Sequence, residues 1–137
     1  MEIHVQLTRE RIDLGALEPT ALGCDVGSWV EFRGLVRGEE GGRSIAALEY
    51  EAYEDMAART MRRILEALFE RHPFHRAVVV HRLGVVPVGE AAIVVSVSSR
   101  HRQESLAVLQ EFMDRLKQDV PIWKRRALPV EELNVRK

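Results

Sequence analysis

The spacing of apolar and polar positions along the chain predicts two helices. Over residues 54–71, apolar side chains recur at helical spacing on one face, and Pro73 ends the run. A second helix is predicted over residues 103–118, and Pro121 ends it. The first face consists of Ala57, Met61, Ile64, Leu65 and Leu68, and the second of Leu106, Leu109, Met113 and Leu116.

Shorter apolar segments predict strands, and the sequence between them predicts turns. The predicted strands span residues 3–7, 28–36, 45–50, 77–80, 85–88, 91–97 and 122–127. The glycine-rich segment 38–42 is predicted to be an irregular loop, so that 45–50 returns as the second strand of a hairpin begun by 28–36. A short helix is expected near Ala21 and Leu22. Because strands and helices mix without regular alternation, the fold class is predicted as α+β with a largely antiparallel sheet, forming a single domain over residues 1–137.

Composition narrows the classes of protein that remain. The chain has 137 residues, of which 46% are hydrophobic, and its 20 basic and 21 acidic side chains give a net charge of −1. This balance argues against a globally basic nucleic-acid binder. The chain contains no apolar run of roughly 18 residues and no signal-peptide pattern, so neither a membrane span nor secretion is expected, and the location is predicted to be cytoplasmic. Cys24 is the single cysteine, which excludes an intrachain disulfide and multi-cysteine metal sites, and we expect it to be a small buried residue.

Positive charge is concentrated late in the chain, where two lysines stand out. Lys117 lies about 20° from Leu106 around the helix axis, which predicts a place at the edge of the apolar stripe on the core side. There it either reaches out to water or stays partly dry and acts as a base or nucleophile. Lys124 shares a face with Ile122 if the segment is extended, which fits either a positioned amine or an ordinary amphipathic edge strand.

Three further residues suggest binding of an anion. Arg37 ends a predicted strand beside the glycine-rich loop, where arginines either bind anions or decorate the edge. His101 and Arg102 begin the second helix, where an imidazole, a guanidinium and free backbone N–H groups together form a phosphate cradle. The residues by themselves therefore predict a site for an anionic ligand built from arginine, histidine and lysine.

Other polar pairs favour less specific readings. His72 and His75 flank Pro73 without a carboxylate motif, so no metal site is predicted. Glu49 and Glu51 share one strand face, and ion pairing with nearby arginines is a better explanation for them than acid–base catalysis.

Several segments together resemble the large, catalytic subunit of molybdopterin synthase. They occur in that family's order over about residues 27–126, and the Pro-Ile-Trp-Lys segment together with the histidine–arginine pairs is the most specific part. The segments are Phe32-Arg33-Gly34-Leu35-Val36-Arg37, Leu48-Glu49-Tyr50-Glu51-Ala52-Tyr53 with Met56-Ala57, His81-Arg82-Leu83-Gly84, Val88-Gly89-Glu90, Ser99-Arg100-His101-Arg102, Leu116-Lys117 and Val120-Pro121-Ile122-Trp123-Lys124.

The resemblance implies a fold, a set of partners and a reaction. The fold would be of the α/β hammerhead type with an additional antiparallel β subdomain. The chain would form a homodimer that binds two small ubiquitin-like sulfur-carrier subunits, giving a heterotetramer. The C-terminal Gly-Gly tail of the small subunit would carry a thiocarboxylate and donate two sulfurs to cyclic pyranopterin monophosphate, forming molybdopterin without a metal or cofactor.

Carried over by position, Lys117 and Lys124 match the family's two active-site lysines. The resemblance implies that Lys117 contacts the thiocarboxylate tail and acts in acid–base steps, while Lys124 assists beside the pterin. Arg37, His101 and Arg102 match residues that hold the phosphate and the pterin.

The chain also departs from the family, which leaves alternatives open. Arg125-Arg126 stand where the family usually has a glutamate, and residues 127–137 form a divergent tail. The main alternative is therefore a diverged, non-catalytic relative that binds the small subunit or an anionic ligand. A third hypothesis, a nucleic-acid-binding domain that uses the basic patch at residues 115–126, lacks interleaved aromatic side chains apart from Trp123.

Overall fold

A computed structural model describes residues 1–19 and 22–130 of the chain. These residues form eight strands, two long helices and a short 3₁₀ turn at Gly15–Leu17. The strands are β1 (Glu2–Thr8), β2 (Ser28–Leu35), β3 (Glu39–Glu40), β4 (Arg43–Ala52), β5 (Arg76–Arg82), β6 (Gly84–Pro87), β7 (Ala91–Ser99) and β8 (Ile122–Pro129), and the helices are α1 (Glu54–Arg71) and α2 (Arg102–Asp119).

The first sheet has the strand order β1-β5-β7-β2 and carries both helices on one face. Strands β1 and β5 are parallel, whereas β5, β7 and β2 pair antiparallel. Ala77 and Val79 of β5 face the helices, while Val78 and Val80 pack under Ile12 on the other face. Burial on both faces explains the unbroken apolar run in β5. The predicted α+β class with a largely antiparallel sheet is confirmed.

A smaller antiparallel sheet is built around β4. Strand β4 pairs with β3, β6 and β8, and the buried side chains Val36, Ile45, Leu48, Val86 and Ala92 pack beneath it. This second sheet agrees with the additional antiparallel part that the resemblance implied.

Two predictions about the chain between residues 28 and 52 are wrong. Strand β2 does not form a hairpin with β4; it pairs with β7 instead, for example Val30 with Val97, where its apolar side chains reach the helices. The segment 38–42 is not irregular, because β3 pairs with the start of β4. Gly41 and Gly42 have φ values of 58° and 80°, which a two-residue hairpin turn requires and which glycine adopts without strain.

The core face of α1 is confirmed, whereas that of α2 is rotated from the prediction. All five predicted core residues of α1 are buried. In α2 the fully buried side chains are Ser105, Val108 and Phe112, and Leu106 is 51% exposed. Leu109, Met113 and Leu116 are partly buried at the flank of the core. The face of α2 that packs on the sheet therefore lies beside the face that apolar spacing predicted.

Three expectations concern the irregular segments. Ala21 lies outside the described residues, Leu22 is not helical, and the short turn occurs earlier, at Gly15–Leu17. Cys24 is exposed, so the expectation that it is buried is wrong; it lies in a surface connection ahead of β2. The first residues of the predicted divergent tail complete β8, whereas residues 131–137 lie outside the described part.

Neither long helix among the described residues has the apolar length that a membrane crossing needs.

Candidate active site

A cavity of about 480 Å³ opens where the two sheets meet the end of α2. Its lining comes from β2, β3, β4, β5, β7, α2 and β8, together with the connection after β2. Apolar side chains form much of the wall, including Phe32, Leu48, Ile93 and Met113. A concave, mostly apolar site with a few converging polar groups is the usual form of a small-molecule site.

Gly34 lets the wall of the cavity form. A Cβ atom at Gly34 would lie 2.7 Å from Cγ2 of Ile93 on the neighbouring strand, so only glycine fits without displacement. The pairing of β2 with β7 also shifts register between Gly34 and Leu35. Such an irregularity bends a strand and redirects the chain that follows. The chain then leads to Arg37, which lines the cavity.

Three of the five sequence-predicted site residues line this cavity. Arg37 reaches it from the connection after β2, Lys117 from the last turn of α2, and Lys124 from β8. All three are exposed at their positions, which places their charges at the rim. Ile122 lines the cavity with Lys124, in agreement with the predicted shared face. The cations therefore surround an opening above an apolar interior.

The predicted setting of Lys117 needs correction. The residue lies on the side of α2 that carries the exposed Leu106, so it is not held at the core edge in a partly dry place. It sits where the main cavity joins a groove along α2, lined by Phe32, Leu106, Leu109, Gln110, Met113, Asp114 and Lys117. The Lys117 amine can therefore contact a ligand in the main cavity or one in the groove.

Lys124 has a carboxylate partner that the sequence did not indicate. Its Nζ atom lies 3.4 Å from Oε1 and 3.5 Å from Oε2 of Glu40, 84 residues away in the chain. Glu40 belongs to β3, so the two-glycine turn delivers this carboxylate to the rim. The pair is part-exposed, with 49% and 37% of the two side chains accessible. Such a pair is weak enough to exchange partners when an anion arrives.

His101 and Arg102 do not reach this cavity in a single chain. His101 is the N-cap of α2 and Arg102 its first residue, so the predicted helix start is confirmed. Lys117 lies 15 residues further along the same helix, which separates it from Arg102 by about 22 Å at 1.5 Å per residue. The described chain therefore brings together Arg37, Lys117 and Lys124, and leaves His101 and Arg102 exposed at the opposite end of α2.

Arg125 and Arg126 form ion pairs with the carboxylates of Glu49 and Glu51. The Nε atom of Arg126 donates to Oε1 of Glu49 at 2.9 Å, while Arg125 lies 3.4 Å from Glu51 and 3.7 Å from Glu49. The register of β8 against β4 shifts here, since Lys124 pairs with Tyr50 and Arg126 with Glu49. Arg125 is thus the extra residue of a bulge, and ion pairing as the use of Glu49 and Glu51 is confirmed.

Sequence reasoning missed three polar residues of the cavity: Glu40, Tyr50 and His81. The rings of Tyr50 and His81 meet edge to face, with centroids 5.2 Å apart. Burial, and then the nearby Glu40 carboxylate, raise the pKa of Tyr50, so its hydroxyl stays protonated. The available signal was His81 itself, a single histidine that directly follows the apolar run at residues 77–80.

The fold and the site together define an α+β protein with a cation-rimmed cavity suited to a compact anionic ligand. The sequence profile of the family described as MoaE protein matches residues 7–119. The match extends further toward the N-terminus than the motifs did, and it ends before Lys124.

Named relatives agree with the profile. Molybdopterin synthase catalytic subunit 1 of Aedes aegypti is 39% identical over 123 residues, which is 89% of this chain and 79% of that protein. The crystal structure of molybdopterin synthase from Staphylococcus aureus superposes with a TM-score of 0.80 and 31% identity, covering 86% of both chains. A complex of subunits 1 and 2 of the molybdopterin-converting factor from Helicobacter pylori shares the fold, with a TM-score of 0.69 at 20% identity, covering 95% of this chain and 90% of that one.

The chain belongs to the MoaE family. Its relatives are catalytic subunits of molybdopterin synthase, so its function lies in the making of molybdopterin, and it is an enzyme of molybdenum cofactor biosynthesis. The resemblance stated from the sequence motifs is confirmed.

Proposed function

We propose that this chain transfers two sulfurs from the C-terminal thiocarboxylate of a small ubiquitin-like subunit to cyclic pyranopterin monophosphate. The observation that carries the proposal is the convergence of Arg37, Lys117 and Lys124, from three separate elements, on one cavity of about 480 Å³. Phosphate and thiocarboxylate are both anions, and fixed cations around a largely apolar site bind both.

The groove beside Lys117 supports the assignment of the donor. A Gly-Gly tail carries no side chains and needs little room, and Lys117 lines both the groove along α2 and the main cavity. The sulfur atom would attack a substrate carbon that carries an oxygen, forming a C–S bond while the C–O bond breaks and the departing oxygen takes up a proton. Water would then cleave the acyl C–S bond, leaving a carboxylate on the tail and the sulfur on the substrate. Lys117 is proposed to hold the thiocarboxylate and move protons in these steps, and Lys124 to act beside the pterin.

A homodimer completes the proposed site. Because His101 and Arg102 lie at the far end of α2 from Lys117, they can serve the cavity only when a second copy brings them there. The proposed assembly is a homodimer with one small subunit on each copy. The complex of two subunits known for the Helicobacter pylori relative is in keeping with a separate small partner. A cytoplasmic location stays a prediction.

Turnover tests the proposed reaction. This protein is mixed with a thiocarboxylated small subunit and cyclic pyranopterin monophosphate, and molybdopterin is detected by the fluorescence of its oxidised product. We expect Lys117→Ala to lower the rate by about 10²–10⁴-fold, the range for a lost acid–base group. Arg115→Ala is the matched control. It removes a cation from the same turn of α2, but Arg115 pairs with Asp119 and does not line the cavity. Binding of the small subunit without any product from the wild type would favour the non-catalytic relative.

Complementation tests the shared site. Lys117→Ala and Arg102→Ala are each expected to be impaired alone. When the two variants are co-expressed, half of the dimers contain one copy of each variant. In such a mixed dimer, one of the two sites has both the native Lys117 and the native Arg102. If the site is built from two copies, about a quarter of wild-type activity returns. No recovery in a mixture that demonstrably contains mixed dimers would place His101 and Arg102 outside the site.

A further inference from the structure

His81 lies in the wall of the cavity that Arg37, Lys117 and Lys124 also line. It belongs to β5 and is 5% exposed, yet it contributes to the cavity surface. Its Nδ1 atom lies 2.8 Å from the backbone carbonyl oxygen of Arg82. A carbonyl oxygen only accepts hydrogen bonds, so Nδ1 carries the hydrogen and donates it. The backbone of β5 thus fixes which ring nitrogen is protonated.

The other ring nitrogen is left as a bare acceptor. Burial lowers the pKa of His81, with the hydrogen bond to Arg82 acting in the opposite direction, so the ring is neutral at pH 7. Within the described part of the chain, Nε2 has no hydrogen-bond partner, and it is not one of the atoms sealed from solvent. Tyr50 touches the ring edge to face, which is a packing contact. His81 therefore brings to the cavity wall an acceptor that has no partner among the described residues.

The remaining polar groups of the lining make this acceptor distinctive. Arg37, Lys117 and Lys124 can only donate hydrogen bonds, the hydroxyl of Tyr50 can donate or accept one, and the carboxylate of Glu40 is paired with Lys124. The cavity thus offers donors at its mouth and a neutral acceptor in its wall. A matching ligand is anionic at one end and carries an N–H donor on a compact ring system at the other.

We propose that His81 is a specificity-determining residue, which accepts a hydrogen bond through Nε2 from an N–H group of the pterin ring while the cations at the rim hold the phosphate. The proposal rests on the proposed function for the identity of the ligand. A ligand without that N–H leaves a buried acceptor unpaired, which costs about ten- to a hundredfold in affinity. His81 positions the substrate and takes no part in moving protons.

Two substitutions separate this role from a structural one. In His81→Asn the side-chain amide reproduces the Nδ1 donor toward Arg82 but places no atom at Nε2. In His81→Gln the amide reaches the Nε2 position but leaves the Arg82 carbonyl without its donor. The probe is cyclic pyranopterin monophosphate alone, with Kd measured by calorimetry, beside KM and kcat for product formation and the melting temperature of each variant.

We expect His81→Asn to raise Kd and KM about tenfold or more with little change in kcat, and His81→Gln to recover most of that loss. Unchanged Kd in His81→Asn overturns the proposal. So does the reverse order, in which His81→Gln binds worse than His81→Asn, because the hydrogen bond to Arg82 would then be the one that matters.

The same measurements keep this inference apart from the proposed function. If the wild type turns over and both variants have the Kd of the wild type, the role of His81 is rejected and the proposed function is retained. Absence of turnover by the wild type, with the expected order of Kd values, rejects the sulfur transfer and retains the role of His81. Absence of both turnover and binding rejects both.

Discussion

Replacing Phe112 by alanine tests the orientation of α2, on which the placement of Lys117 depends. Phe112 is 0% exposed and belongs to the main core cluster between the helices and the first sheet. Truncating a buried phenylalanine removes its apolar contacts and leaves a cavity, which costs about 3–5 kcal/mol. Against a total stability of about 5–15 kcal/mol, the loss is severe and lowers the melting temperature by roughly 10–20 °C.

The matched control is Leu106→Ala on the same helix. Leu106 is 51% exposed, although apolar spacing placed it in the core, so its truncation should cost less than about 0.5 kcal/mol. Urea denaturation followed by circular dichroism gives both values, and two protein concentrations separate folding from association. Equal, concentration-independent losses in the two variants would refute the orientation of α2, and with it the position of Lys117 at the cavity rim.

Three further predictions follow from individual contacts. Because burial lowers the pKa of His81, the unfolded chain binds a proton more readily than the folded one. The free energy of unfolding should therefore be retained above about pH 6.5 and fall below it, by up to about 1.4 kcal/mol per pH unit. Urea denaturation at several pH values should show a weaker dependence of this free energy on pH in His81→Asn. Gly27→Ala should cost about 1–3 kcal/mol, since its Cβ would overlap the backbone carbonyl oxygen of Arg100 just before α2, whereas Gly23→Ala, with open space around it, should be near neutral in the same assay. Glu40→Gln frees Lys124 and should lower KM for the proposed phosphate-bearing substrate by about two- to fivefold at low salt; an unchanged KM would mean that the pair does not compete with the ligand.

The helices show what apolar spacing settles and what it leaves open. In α1 one stripe is apolar, so the residues that face the sheet follow from their order. In α2 two neighbouring stripes compete, and the buried one includes Ser105, a residue that hydropathy assigns to the surface. Its hydroxyl lies 2.7 Å from that of Ser28 on β2, so a partner distant in the chain makes its burial acceptable. A single sequence does not reveal that partner.

Strand pairing and the site likewise depend partly on local sequence, which can be interpreted, and partly on distant contacts, which cannot. The strand at residues 28–36 was recognised locally, but its pairing with β7 depends on which apolar faces meet across the sheet. The cations were found because Arg37, Lys117 and Lys124 fall within recognisable segments. Glu40 and His81 were missed because their importance comes from contacts across the chain, to Lys124 and to the cavity. The meeting of Lys117 and Lys124 at one cavity could be named from the resemblance and not from their spacing.

The cavity lining runs from Phe32 to Lys124 and draws on both sheets and on α2. Its contact between Glu40 and Lys124 closes a loop of 84 residues, and the pairing of β8 with β4 closes one of similar size. Contacts so distant in sequence form late in folding, because the chain must first lose the entropy of the whole loop. During synthesis the apolar strands β5 and β7 leave the ribosome before β8 does. A chain stopped short of β8 therefore has its hydrophobic strands but lacks Lys124 and the wall that β8 contributes, so the site is complete only when the last strand of the described residues has been made.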